Sequence, residues 1–311
     1  MKIGITMGDP LGIGPEIIFK ALQSPRLQNS ADFVIYGDEK AYDFSALKIP
    51  SNLSFEWITQ GPAQQLWTPE SCGKASIAYL EKAVADACEG KIDALVTAPI
   101  AKFHLQKAGY AWPGHTEFLA EKTGGHKVVM MMASPTLKVS LVTIHMPLKE
   151  VPQKITQEKI MDTVRISFDS LKKYWGLSKP RVAVCGLNPH AGEEGVLGDE
   201  EIKIIAPALE KLRQEGYELT GPCVPDAVFH QAYEGQFDAV VCMYHDQGLI
   251  PFKMLHFRDG VNVTLGLPII RTSPDHGTGF DIVGKNLADP SSMIAATELA
   301  IDMAQKRKVK V

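Results

Sequence analysis

Short, unbroken apolar runs alternate with amphipathic stretches along this 311-residue chain. The runs are Lys2–Thr6, Phe33–Tyr36, Ala94–Thr97, Val128–Met132, Val139–Ile144, Arg181–Cys185, Ala239–Met243 and Val261–Leu265. They are rich in valine and isoleucine and mostly lack a two-residue alternation. That pattern predicts strands covered on both faces, as in a parallel or mixed sheet. The stretches between them read as helices. Pro15–Leu22 opens with Pro15 and Glu16, as a first helical turn prefers. Lys74–Cys88 sets Ile77, Leu80, Ala83, Val84 and Ala87 on one face. Ile160–Tyr174 repeats the pattern, and so does Asp199–Gln214, which opens on acids and stops near Gly216. A last helix begins at Asp289-Pro290, runs to about Gln305 and ends in a basic tail that suits its dipole. Strands alternating with helices predict an α/β fold. No linker-like tract separates two domains, so a two-domain division has to cross the chain more than once.

Composition narrows the function. The net charge of -4 lacks the basic excess of a nucleic-acid binder. With 45% hydrophobic and 22% charged residues, disordered and fibrous classes drop out. The apolar start, Met1–Thr6, is broken by Asp9 and Pro10 and is too short for a signal core or a membrane span. The five cysteines, Cys72, Cys88, Cys185, Cys223 and Cys242, are odd in number and form no C-x-x-C. They predict free thiols, with Cys185 and Cys242 buried in their apolar runs, in a reduced, cytoplasmic protein without nucleic-acid or membrane partners.

Three histidines stand where buried strands should emerge. His145 follows the run ending at Ile144, His190 follows Gly186-Leu-Asn-Pro189, and His245 follows the run ending at Tyr244. In open α/β sheets ligands bind beyond the carboxyl ends of strands. Three neutral imidazoles delivered there suit a divalent cation with open positions for substrate. Taken singly, each is equally a strand-end residue bonded to backbone. A second polar set comprises His115 and Thr116 in Pro113-Gly-His-Thr-Glu117, followed much later by Lys253, Asn262 and Arg271. Lysine and arginine suit a phosphate or carboxylate substrate. The glycine-rich loop Met7-Gly-Asp-Pro-Leu-Gly-Ile-Gly-Pro15 invites a phosphate-binding reading but matches neither dinucleotide nor P-loop spacing. A tight turn beside a cleft explains it as well.

Several longer strings carry a family resemblance. They are Thr6-Met-Gly-Asp-Pro-Leu-Gly-Ile-Gly-Pro-Glu16, Thr97-Ala-Pro-Ile-Ala-Lys102, Pro113–Glu117, Gly186-Leu-Asn-Pro-His-Ala-Gly-Glu193, Met243-Tyr-His-Asp-Gln-Gly248 and Gly260–Pro268. Across essentially its whole length the chain resembles the 4-hydroxythreonine-4-phosphate dehydrogenases of pyridoxal 5′-phosphate biosynthesis. The resemblance implies an isocitrate/isopropylmalate dehydrogenase-like fold, with two α/β domains and a cleft between them. The expected division is 1–120 plus 280–311 against 121–279. It implies a divalent cation (zinc, or cobalt, manganese or magnesium) on His145, His190 and His245. It implies substrate contacts from His115, Thr116, Lys253, Asn262 and Arg271, and a homodimer with the active site at the interface.

The string from His276 to Pro290 is similar to the adenosine-binding loop of isopropylmalate dehydrogenases. That similarity implies NAD contacts from His276, Gly277, Asp281 and Ile282, with Asp281 disfavouring NADP. The implied reaction is oxidation and decarboxylation of 4-phosphooxy-L-threonine to 3-amino-2-oxopropyl phosphate. Lys253 and Asp246 are the acid–base candidates, Lys253 the stronger. Related enzymes acting on 4-phospho-D-threonate or 4-phospho-D-erythronate would share these motifs. A metal-dependent phosphatase or lyase without nicotinamide is a different-class alternative, but it has no use for an adenosine loop.

Overall fold

Apolar runs become strands where both faces are covered, and the amphipathic stretches pack upon them. The computed structural model describes residues 1–41, 51–58, 66–112, 114–125 and 127–309. In chain order the first elements are β1 (Lys2–Thr6), α1 (Gly14–Leu22), β2 (Asp32–Gly37), β3 (Leu53–Trp57), α2 (Pro69–Cys88), β4 (Ala94–Thr97), α3 (Lys102–Lys107) and α4 (His115–Thr123). Next come β5 (Val129–Ala133), β6 (Lys138–Leu141), α5 (Val151–Lys154), α6 (Gln157–Tyr174), β7 (Val182–Cys185) and α7 (Ala206–Gln214). The remainder are β8 (Leu219–Cys223), α8 (Pro225–Tyr233), β9 (Ala239–Cys242), α9 (His245–Leu255), β10 (Val261–Leu265), β11 (Arg271–Pro274) and α10 (Ser291–Val309).

The chain forms two compact units, 1–126 with 267–308, and 127–266 with the last residues. Residues 121–126 and 267–279, assigned above to the second domain, group with the first unit. The cause at the second crossing is pairing: β11 lies parallel to β4, with Arg271 opposite Leu95.

In the first unit the strand order is β3-β2-β1-β4-β11, and every pairing is parallel. Ile3, Ile5, Ile35, Leu95 and Val96 fill its centre. Helix α2 buries Ile77, Leu80, Ala83 and Val84 as its periodicity predicts. It starts earlier than its apolar stripe, at a capping box in which Thr68 and Ser71 each bond the other's backbone N–H.

The second unit orders its strands β10-β5-β6-β9-β7-β8. The β10–β5 and β5–β6 pairs are antiparallel, whereas β6–β9, β9–β7 and β7–β8 are parallel. Leu141, Val240, Cys242, Leu249 and Phe252 lie in one buried cluster beneath α9. Because β6, β9 and β7 run parallel, their carboxyl ends share one edge of the sheet. His145, His190 and His245 all follow those ends.

Candidate active site

His145 and His245 meet. Their ring centroids lie 5.5 Å apart, at an interplanar angle of 47°. His245 is the first residue of α9, and its Nδ1 lies 2.6 Å from Asp246 Oδ1. A carboxylate can only accept there, so Nδ1 carries the proton and the Nε2 lone pair is left for a ligand. Asp246 thus orients an imidazole. Lys253 lies two helical turns, about 10 Å, farther along α9 from Asp246 and on the same face. Asn262 on β10 turns a buried Oδ1 with no hydrogen-bond partner among the described residues.

His190 reaches the same edge by an unusual path. Five consecutive residues, His190 to Glu194, hold φ between 43° and 82°, a left-handed turn in which only Gly192 lacks a side chain. L-residues resist this conformation because Cβ crowds the following carbonyl. The entrance to the turn is therefore anchored. Buried Glu201 accepts from the backbone N–H of Leu187 (2.6 Å) and of Asn188 (2.8 Å), and from Asn188 Nδ2 (2.9 Å). A Cβ on Gly192 would stand 2.7 Å from Glu201 Oε2 and 2.9 Å from the Gly198 carbonyl. Within one chain the ligand atoms of His145, His190 and His245 do not gather as a set of three inside 4.8 Å.

The first unit holds an anion-seeking group. Arg271 is 3% exposed on β11, and its Nε and Nη2 donate to Thr97 Oγ1 at 3.1 and 2.6 Å. Burial lowers its guanidinium to about 9. His115 opens α4, whose Gly114 cap offers no side-chain bond to the first turn. Its Nε2 is buried without a partner among the described residues. Burial, then the Arg271 charge, hold His115 well below the usual imidazole range, so it is neutral near pH 7. Thr116 follows in the first turn of α4, where free backbone N–H groups favour an anion. Pro113 of this motif lies outside the described residues.

The two glycine-rich segments of this unit pack together. Ile13 N–H donates to the Thr278 carbonyl (2.9 Å), and a Cβ on Gly12 would meet that oxygen at 3.1 Å. Gly279, at φ 55°, leads into a short turn, Phe280–Ile282, that exposes Asp281; Ile282 is half-buried. His276 Nδ1 contacts the Gly277 carbonyl, its Nε2 is buried without a partner among the described residues, and Gly277 has open space around it.

The sequence did not foretell a buried trio beneath these loops. Asp9, Cys72 and His104 bring their ligand atoms within 4.8 Å of one another. Such donors suit a cation, but Asp9 Oδ2 lies 2.6 Å from His104 Nδ1. That is a hydrogen-bond distance, shorter than the roughly 3.3 Å between donors sharing a tetrahedral zinc with bonds of about 2.0–2.1 Å. The His104 ring packs 5.3 Å from Phe280, so the trio braces the 276–282 loop. Three distant segments supply it, which hides it from any local motif. All five cysteines are free. Among the described residues no helix is long and apolar enough to cross a membrane.

Comparisons with known proteins show the family. The family described as pyridoxal phosphate biosynthetic protein PdxA matches residues 31–300. A 4-hydroxythreonine-4-phosphate dehydrogenase from Sulfurihydrogenibium sp. is 46% identical over 324 residues, spanning 99% of this chain and all (100%) of that protein. The crystal structure of a 4-hydroxythreonine-4-phosphate dehydrogenase from Klebsiella pneumoniae matches with a TM-score of 0.88 at 40% identity, covering 98% of each chain. An isocitrate dehydrogenase from Methylococcus capsulatus shares the fold, with a TM-score of 0.55 at 16% identity over 99% of this chain and 86% of that one. The chain therefore belongs to the pyridoxal phosphate biosynthetic protein PdxA family of α/β oxidoreductases, whose named members are 4-hydroxythreonine-4-phosphate dehydrogenases.

Proposed function

We propose that this protein oxidises and decarboxylates 4-phosphooxy-L-threonine to 3-amino-2-oxopropyl phosphate, using NAD and a divalent cation. The observation that carries the reading is the His145–His245 contact, with His245 Nε2 left free by the Asp246 bond. Imidazole donors of this kind fit a divalent cation, and His190 would complete the ligands. Such a cation would supply Lewis-acid polarisation of the substrate hydroxyl and of the ketone that replaces it. NAD, held by His276, Gly277, Asp281 and Ile282, would take up the hydride. The unpartnered His276 Nε2 and the open space at Gly277 fit that role.

The chain's own groups do the rest. Arg271, neutral His115 and the first turn of α4 at Thr116 bind the phosphate. Asn262 Oδ1 accepts from a substrate N–H or O–H and so satisfies a buried atom. Lys253 Nζ takes the hydroxyl proton as hydride leaves carbon. After carbon dioxide departs, the carbon that bore the carboxylate gains a proton. The sum is substrate plus NAD giving aminoketone phosphate, carbon dioxide and NADH. Asp246 serves as an orienting carboxylate on His245, leaving Lys253 as the acid–base group.

The working form is a homodimer, with a second copy completing each site. Two observations support this. The three histidines do not close on one point within a chain. Val196 beside the left-handed turn, and Ile250, Met254 and Phe257 on and after α9, stand exposed. The test is NADH formation, read by ultraviolet absorbance, with 4-phosphooxy-L-threonine, 4-phospho-D-threonate and 4-phospho-D-erythronate compared at equal concentration. Preference for either sugar acid overturns the substrate assignment, and a fully active monomer in sedimentation overturns the dimer.

A further inference from the structure

We propose that the buried Gln247 carboxamide is a positioning residue that sets the spacing of the strand ends carrying His190 and His245. This rests on the cation reading given above. The β7–β9 ladder ends at the pair Val184–Val241. Beyond it the two chains diverge toward their histidines, and backbone no longer reaches backbone. Gln247, 8% exposed in the first turn of α9, fills that gap. Its Oε1 accepts from the Met243 N–H at 2.7 Å, and its Nε2 donates to the Gly186 carbonyl at 2.8 Å. One neighbour can only donate and the other only accept, so the amide has a single satisfied orientation.

The same bridge continues on both sides. On the β6 side, Thr143 Oγ1 and Thr143 N both donate to the Met243 carbonyl, at 2.7 and 3.2 Å. On the β7 side, Gly186 N–H donates to the Cys223 carbonyl at 2.8 Å, and Glu201 takes the next two backbone N–H groups. Thr143, Met243, Gln247, Gly186 and the Glu201-held loop thus form one buried polar chain across three strand ends. Each histidine stands two residues beyond an anchor: His145 after Thr143, His190 after Asn188 and His245 after Met243. Among the described residues, the Gln247 amide links the His190 arm to the other two beyond the point where the Cys185 and Cys242 thiols meet between β7 and β9. Losing it leaves the β6–β9 anchor intact and frees the His190 arm, which already holds a conformation that L-residues resist.

The experiment compares wild type with Gln247→Leu and Gln247→Glu. Leucine removes both bonds, whereas glutamate keeps the acceptor toward Met243 and loses the donor toward Gly186. Zinc affinity is read by competition with a chelator, ligand geometry by the visible spectrum of the cobalt(II)-substituted protein, and the fold by circular dichroism. Partners that orient metal ligands typically contribute 10- to 100-fold in affinity. The expected result is a loss of about that size in both variants, shifted cobalt bands and an unchanged fold. A residue that only packs would lower thermal stability and leave zinc affinity and the cobalt bands alone, which overturns the proposal. Failure of both variants to fold also overturns it, because the amide would then serve the fold as a whole. A wild type that binds no divalent cation refutes the cation reading itself, and that result is visible before any substitution is made.

Discussion

Arg271→Met should make the ligand-free protein more stable and at the same time abolish its response to phosphate. Methionine retains the length and apolar stem of the side chain and removes a buried charge. The fall of the guanidinium from its ordinary value to about 9 corresponds to roughly 5 kcal/mol of desolvation, at about 1.4 kcal/mol per tenfold. Two bonds to Thr97 Oγ1 are lost in exchange, costing about 1–3 kcal/mol together. The net expectation is a gain of about 1–3 kcal/mol in ligand-free buffer, with some of it spent on repacking. The sign with pH follows from the direction of the shift. Below pH 9 the group is charged both folded and unfolded, so the penalty is fully present. It is relieved as pH rises past 9, and the advantage of the variant should shrink there. Urea unfolding of both proteins reads these differences. With a phosphate ligand at a hundred times its dissociation constant, wild type should gain about 2.7 kcal/mol and the variant very little. A variant less stable than wild type without ligand, or equally stabilised by phosphate, would refute the reasoning.

Other consequences are open to simple measurement. Below about pH 6.5 the unfolded chain binds a proton that buried His115 refuses, so stability falls with acid by up to about 1.4 kcal/mol per pH unit. His115→Gln should flatten that part of an acid-unfolding curve, and identical slopes would contradict the burial argument. Asp281→Asn should raise the use of NADP relative to NAD by removing an exposed carboxylate near a 2′-phosphate; an unchanged cofactor ratio counts against the loop assignment. Of the five thiols only Cys88 is exposed, while burial pushes Cys72 up to about 12 and Cys223 up to about 11. A disulfide reagent at neutral pH should therefore find one fast thiol per chain, lost in Cys88→Ser. Gly14→Ala would set a Cβ 2.2 Å from the Met7 carbonyl, costing about 1–3 kcal/mol in thermal unfolding.

Apolar strands and striped helices were legible because burial on two faces, or on one stripe, writes itself into hydrophobicity. β11 shows the limit of that signal. Its residues Arg271, Thr272, Ser273 and Pro274 are all buried, yet none is apolar enough to mark a strand. Edge strand β3 alternates toward solvent, and β8 carries a glycine and a proline. The stretch from Asp199 read as one helix, but it begins with a wider π turn, Glu201–Ile205, before α7. The histidines were found from their place after apolar runs. Their supports were not, because Glu201 and Gln247 look like ordinary surface residues until the chain folds over them. The left-handed turn at His190 had Gly192 as its one signal: His190, Ala191, Glu193 and Glu194 give no hint of positive φ.

The way the two units share the chain bears on the order in which the protein is made. Residues 127–266 form an unbroken segment, whereas the first unit needs 267–308 to complete it. During synthesis the whole of the uninterrupted unit is made before β11 is added. The parallel partner of β4 is then supplied by a strand that follows it by well over a hundred residues, a contact of high sequence separation and slow closure. The three histidines therefore precede Arg271 in the order of synthesis. Nascent chains ending at Gly266 and carried clear of the ribosome by a neutral linker should resist protease across 127–266 and leave the earlier segment open to cleavage. Strand β11 and the segment after it join the first unit last, and a quality-control protease has its widest opportunity just before β11 docks.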